Sequence, residues 1–199
     1  MNFQVRTLTL VCLFFLVLPI AAFCSWGEPM ETLFSDEPLQ VSGYGGPEAQ
    51  FTSMKGNFGF LLGGRGGAIF NDRFVVGGAA YGLVQPTLNL PLDGDTKRMG
   101  VGYGGLLLEY YFSPRSLINY SVGALVGSGG VAEIGDRAGR RTAFFVLQPE
   151  VNVFVNVTRF FRVGTGVAYR YSNGLNLNGF TDDDFRGFSG SLIFAFGGF

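Results

Sequence analysis

The chain has 199 residues, with 32 glycines, 22 phenylalanines and only 15% charged residues, against about 25% in a typical soluble domain. That length supports one domain with a sizeable interior. The formal net charge of −1 leaves no basic footprint for nucleic acid. What remains is a low-complexity chain, or a β-protein whose apolar surface faces something other than water.

At the N-terminus, Arg6 precedes the apolar run "LTLVCLFFLVLPIAAFC", which ends in small residues. A short basic region, an apolar stretch and a cleavage zone predict a secretory signal peptide over 1–24, cut between Ala22 and Ser25. The apolar residues 8–23 fall short of the roughly 18–20 that a spanning helix needs. In "AAFC", bulky Phe23 sits where a lipobox has a small residue, which argues against acylation of Cys24. Cys12 and Cys24 are the only cysteines, so the mature chain has no disulfide framework. Residues 25–45, "SWGEPMETLFSDEPLQVSGYG", carry prolines and acids without a period and read as an extended segment.

From residue 46 onward strand patterns are bounded by turn signals. The predicted strands are 46–54, 58–70, 74–86, 98–112, 116–128, 141–156, 160–173 and 186–199. The connectors "KGN", "NDR", "SPR" and "VTR" are tight, whereas 87–97, 129–140 and 174–185 are long and polar. After the second strand the two kinds alternate strictly. In an up-and-down sheet alternate connectors share an end, so one end is tight and the other loopy. Outer-membrane barrels have that asymmetry, with short periplasmic turns and long external loops.

The faces decide the medium. Along 148–157, Gln148, Glu150, Asn152 and Asn156 share one face, and Val151, Val153, Val155 and Val157 the other. After the turn, Arg162, Gly164, Gly166, Ala168, Arg170 and Ser172 oppose Phe161, Val163, Val167, Tyr169 and Tyr171. Eight strands enclose a lumen just wide enough to be filled by side chains. Small and polar inside with large and apolar outside suits a lipid jacket; a soluble lipid-binding barrel needs the reverse. The in-strand charges Arg65, Glu109, Glu150, Arg162 and Arg170 fall on the polar face and are predicted to form a lumen ion-pair network. On the lipid face each basic one would cost about 2–4 kcal/mol at midplane. The expected fold is therefore all-β, an eight-stranded antiparallel up-and-down transmembrane β-barrel over 46–199.

Aromatics cluster by height. Phe70, Phe74, Tyr110, Tyr111, Phe112, Phe160, Phe161, Phe194, Phe196 and Phe199 gather at the tight-turn end, and Tyr169, Tyr171, Phe144, Phe145 and Phe188 at the other. Two interfacial girdles are the expectation.

The last stretch, "FSGSLIFAFGGF", is an alternating strand ending in Phe199. It resembles the C-terminal insertion signal of bacterial outer-membrane proteins, with Phe194, Phe196 and Phe199 as its aromatics. Phe199 falls on the opposite parity from the other two, and a bulge at Gly197–Gly198 would restore the phase. With the strand pattern, residues 46–199 resemble the small outer-membrane barrel superfamily, the architecture of the outer-membrane protein A barrel. The resemblance implies an outer-membrane location, lipid and lipopolysaccharide as neighbours, and handling by the barrel assembly machinery. It carries over no functional motif and leaves the oligomeric state open.

The chain contains no histidine. A Ser-His-Asp arrangement is impossible, and the enzymatic barrels of this architecture rely on histidine. No enzyme activity and no cofactor is expected. "GVGYGG" at 100–105 and "GGRGG" at 63–67 sit inside strands with no helix following, unlike phosphate loops. The acids of "TDDD" (181–184) and "DGD" (93–95) lack EF-hand spacing and read as solvated loops. The function that fits is a structural or surface-interaction role, with a narrow channel for ions or small solutes as the alternative and a secreted lipid-binding barrel behind it.

Overall fold

The computed structural model describes residues 39–54, 56–84, 90–92, 95–134, 141–177 and 180–199. Residues 1–24, read as a signal peptide, most of the expected extended segment, and Asp93 and Gly94 of the "DGD" loop lie outside them. The described chain is almost entirely strand: β1 (Val41–Met54), β2 (Asn57–Phe70), β3 (Phe74–Leu83), β4 (Leu90–Leu92), β5 (Asp95–Phe112), β6 (Ile118–Ile134), β7 (Arg141–Asn156), β8 (Phe161–Asn173), β9 (Asn176–Leu177), β10 (Phe180–Thr181) and β11 (Gly187–Gly197). One short helix, α1 (Asp182–Phe185), precedes β11.

Eight long strands pair antiparallel in the ring β1-β2-β3-β5-β6-β7-β8-β11, closed where β11 returns to β1. Ala49 lies opposite Leu192 at that seam. Strand β4 folds back on the start of β5 outside the ring. Closure leaves no open edge, the condition for a sheet in lipid. The barrel is eight-stranded and up-and-down, as expected from the connectors. No described helix is long and apolar enough to cross a membrane.

Several strand limits differ from expectation, among them the start of β5 at Asp95 rather than 98. Strand β1 starts at Val41, five residues before 46, because "VSGYG" pairs with Gly66–Phe70 of β2 despite its glycines. Strand β6 runs on to Ile134, six residues past 128. "GGVAEI" reads as a loop by composition, yet Val131 points inward and pairs with Val101 and Thr142. Strand β3 stops at Leu83 rather than 86.

The tight turns show why their residues are there. Asn71 and Asp72 both adopt left-handed backbone, with φ of 51° and 60°, which these two residue types tolerate through local side-chain hydrogen bonding. Arg73 N–H then donates to the Phe70 carbonyl at 3.1 Å, reversing the chain.

Alternation sorts the side chains as the physics of lipid requires. Leu62, Leu106, Val122, Val151 and Val167 point outward and are exposed, while Gln148, Glu150, Asn152, Arg162, Arg170 and Ser172 are buried inside. Glycines admit the larger lumen groups. A Cβ on Gly164 would land on the Phe154 ring, and one on Gly105 on the backbone of β6.

Three expected girdle members are corrected: Phe144, Tyr111 and, at the C-terminal strand, Phe199. Phe144 and Tyr111 are 3% and 0% exposed and face the lumen, because each falls on the inward parity of its strand. Other expected members face out in contact pairs, such as Phe74 with Tyr110, Phe161 with Phe196, and Tyr169 with Phe188. The bulge at Gly197–Gly198 does not form: the register continues through Phe196 opposite Gly45 and Gly197 opposite Tyr44. Phe199 consequently keeps its inward phase. Its ring lies 5.9 Å from that of Tyr44, under the Arg162 guanidinium.

Candidate functional site: the polar lumen

Among the described residues the lumen holds three arginines at three heights, and strand register makes room for the charges at the middle one. Arg65 on β2 is flanked by Gly46 and Ala79; Glu109 on β5 by Gly123 and Val75; Glu150 on β7 by Gly123 and Ala168. Small neighbours leave the volume that a long charged side chain needs inside so narrow a barrel.

Arg65 occupies the middle level. Its Nε donates to Glu48 Oε2, and its Nη1 and Nη2 donate to Glu150 at 2.6 and 3.1 Å. Glu109 Oε1 stands 3.9 Å from Nη1. Each carboxylate has neutral donors as well. Tyr81 Oη donates to Glu48 at 2.7 Å, as does Gln50 Nε2 at 2.9 Å. Tyr44 Oη and Ser121 Oγ donate to Glu109 at 3.1 and 2.5 Å, and Asn152 Nδ2 to Glu150 at 3.0 Å. All four charged residues are at most 5% exposed.

Arg170 sits nearer the long loops. Its Nε donates to the Phe185 carbonyl at 3.0 Å and its Nη2 to Thr52 Oγ1 at 3.2 Å, while its guanidinium lies 4.1 Å from the Phe185 ring centroid. Phe185, the last residue of α1, is fully buried between Tyr103 and Phe144. The acids of "TDDD" hold that helix in place. Asp182 accepts from the Gly174 and Leu175 amides, Asp184 from the Thr181 amide, and Asp183 pairs with Arg186 at 2.8 Å. The loop residues 180–186 thus fold over the mouth and insert an aromatic plug.

Arg162 sits toward the tight turns. Its Nη2 donates to the Pro114 carbonyl at 3.0 Å, and its guanidinium lies 3.8 Å from the Phe199 ring centroid and 5.5 Å from that of Tyr111.

The five residues expected to form one network therefore divide. Arg65, Glu109 and Glu150 come together; Arg162 and Arg170 stand apart, each answered by carbonyls and aromatic faces, with no ion pair among the described residues. Sequence reasoning missed Glu48, although it lies within the predicted strand 46–54 and alternates there with Gln50 and Thr52. It also missed the hydroxyls of Tyr44, Tyr81 and Tyr103, which parity alone locates. Nothing in the sequence marks Phe185 as a plug.

No protein-family model matches the sequence, and no curated protein matches it. Solved structures do resemble the chain. Neisserial surface protein A is 17% identical, with 81% of this chain and 98% of that one covered at a TM-score of 0.56. The N-terminal β-barrel domain of Pseudomonas aeruginosa OprF is 15% identical, with 80% and 99% covered at 0.54. The fold is that of the small outer-membrane barrels.

The described wall is apolar, and the centre is polar at its middle level, with buried apolar clusters around Leu61, Leu107 and Phe144 and around Ile69, Val75 and Phe154. Around Arg65 the charges are mutually answered, while Asn119 Oδ1, Gln148 Nε2 and Arg162 Nε are among the buried atoms left without a hydrogen bond. Carboxylates meet a guanidinium, hydroxyls and amides, and no described group of His, Cys, Asp or Glu is arranged to hold a metal ion. Buried ion pairs that are fully hydrogen-bonded rigidify and specify an interior more than they stabilise it.

Proposed function

We propose that the protein is a non-enzymatic, integral outer-membrane barrel with a structural or surface-interaction role, its tight turns in the periplasm and its long loops outside. The observation that carries this reading is the filling of the lumen at three heights. Phe185 and Arg170 occupy the loop end, the Arg65 cluster the middle, and Phe154, Tyr111 and Arg162 the tight-turn end, all between 0% and 5% exposed. A packed centre supports a rigid post for the loops rather than a pore. The sequence supports the absence of hydrolytic chemistry, since no histidine is available as general base. Residues 1–24 act as the export signal, Phe194, Phe196 and Phe199 serve recognition by the assembly machinery, and lipid and lipopolysaccharide surround the wall.

Planar-bilayer recording tests the reading against the channel alternative. The wild-type barrel is expected to give no steady conductance. Stable unitary currents that Phe185→Ala leaves unchanged and Glu150→Ala abolishes would instead establish a pore.

A further inference from the structure

The tight-turn end has a character the lumen network does not explain. The three connectors Asn71–Arg73, Ser113–Arg115 and Val157–Arg159 each end in an arginine, and Asp72 is their only acid. Arg73 donates to the Tyr110 hydroxyl and Arg115 pairs with Asp72 at 3.0 Å, its side chain still 85% exposed. Arg159 makes no hydrogen bond or ion pair among the described residues. Between the last two turns lies a cavity of about 670 Å³ lined by Arg115, Thr158, Arg159, Arg162 and Phe199.

Arg162 is the decisive member, at 3% exposed and lining the inner wall of this cavity. One Nη donates to Pro114 and the Phe199 and Tyr111 rings face the guanidinium, but Nε has no hydrogen-bond partner and no described carboxylate lies in ion-pair range. A buried cation left this way is costly unless an anion answers it. We propose that this cavity binds a phosphate group. Donors reach it from β8 and from two separate turns, which suits a tetrahedral oxyanion, and guanidinium forks match phosphate oxygens bidentately. Leu117 and Phe160, beside Arg115 and Arg159, are exposed apolar side chains. Rings and aliphatics at that height rest at the acyl boundary, which sets the arginines at headgroup depth. The phosphate then belongs to a phospholipid headgroup or arrives as a soluble anion.

The test uses the full chain in octyl glucoside, which carries no phosphate, and follows the Arg162 Nε–Hε resonance by NMR. Inorganic phosphate and phosphatidylglycerol are titrated separately, with sodium chloride at matched ionic strength and a diacylglycerol of the same chains as controls. A saturable shift with either phosphate probe and neither control is expected. Arg159→Gln, on an exposed turn, should weaken that binding by about three- to tenfold, the loss of one charge-assisted contact. A response to phosphatidylglycerol but not to inorganic phosphate identifies the lipid source, and the reverse identifies a soluble anion. No shift with either probe, a shift that sodium chloride reproduces, or undiminished binding in Arg159→Gln would overturn the proposal. None of these outcomes depends on whether the barrel conducts.

Discussion

Arg65 is the lumen residue on which most others depend, and charge counting at that level makes specific demands. Three carboxylates, Glu48, Glu109 and Glu150, surround one guanidinium. Arg65→Met leaves three buried acids without a cation and should lower unfolding stability by about 3–5 kcal/mol, measured by urea denaturation in detergent micelles. Glu109→Gln removes one excess negative charge while keeping an acceptor for Ser121 and Tyr44, so its midpoint should equal or exceed the wild type. Glu150→Ala should cost far more than Asp183→Ala, whose pair with Arg186 is largely exposed and worth about 0–1 kcal/mol. Equal midpoints for those two variants would contradict the lumen assignment. Steric matching is equally testable: Gly164→Val presses on Phe154 and should cost about 1–3 kcal/mol, and Phe154→Ala in the same chain should recover part of it. At this scale the sequence was legible through parity. Arg65, Glu109 and Glu150 fall inward because a strand has period two. Which acid meets which base was not legible, since that depends on relative heights of strands distant in sequence, and Arg162 and Arg170 went to carbonyls and rings.

The element that composition conceals is α1. Its four residues "DDDF" look like a solvated acidic loop, yet a capping box at Thr181 and Asp184 starts a helical turn that delivers Phe185 into the mouth. Asp182 is the latch, accepting from the Gly174 and Leu175 amides at 3.2 and 2.9 Å. Asp182→Ala should speed hydrogen exchange at those two amides by at least about fivefold, equivalent to roughly 1 kcal/mol of lost local stability, while exchange in the middle of β8 stays unchanged. Unaltered exchange at Gly174 and Leu175 would mean that Asp182 is not the latch and that Phe185 packing and the Arg170 hydrogen bond hold the plug. The long strands were more readable, because tight turns such as "NDR" bound alternating runs on both sides. Their limits failed where glycine outnumbers side chains, in "VSGYG" of β1 and "GGVAEI" of β6. There the pairing partners, rather than local propensity, decide the conformation.

At the scale of the whole molecule, one surface choice organises everything else. A closed ring of eight strands satisfies its own backbone, so its outer wall can be valine, leucine and phenylalanine, and its centre can hold ionised side chains. The same closure accounts for the alternation of turns and loops, for the aromatic pairs near both rims, and for the inward turn of Phe199. The inside-out character was legible from 148–172 alone, because valines alternate there with acids, amides and arginines too numerous to face lipid. The direct measurement is an alternation scan across β7. Single-cysteine variants at Val151, Asn152, Val153 and Phe154, made in a background with Cys12 and Cys24 removed and reconstituted in vesicles, are labelled with a fluorophore and quenched by brominated lipid. Strong lipid quenching at 151 and 153, with little at 152 and 154, is the predicted pattern. Quenching at Asn152 with water-soluble quencher reaching Val151 would place the polar face outside and contradict the account.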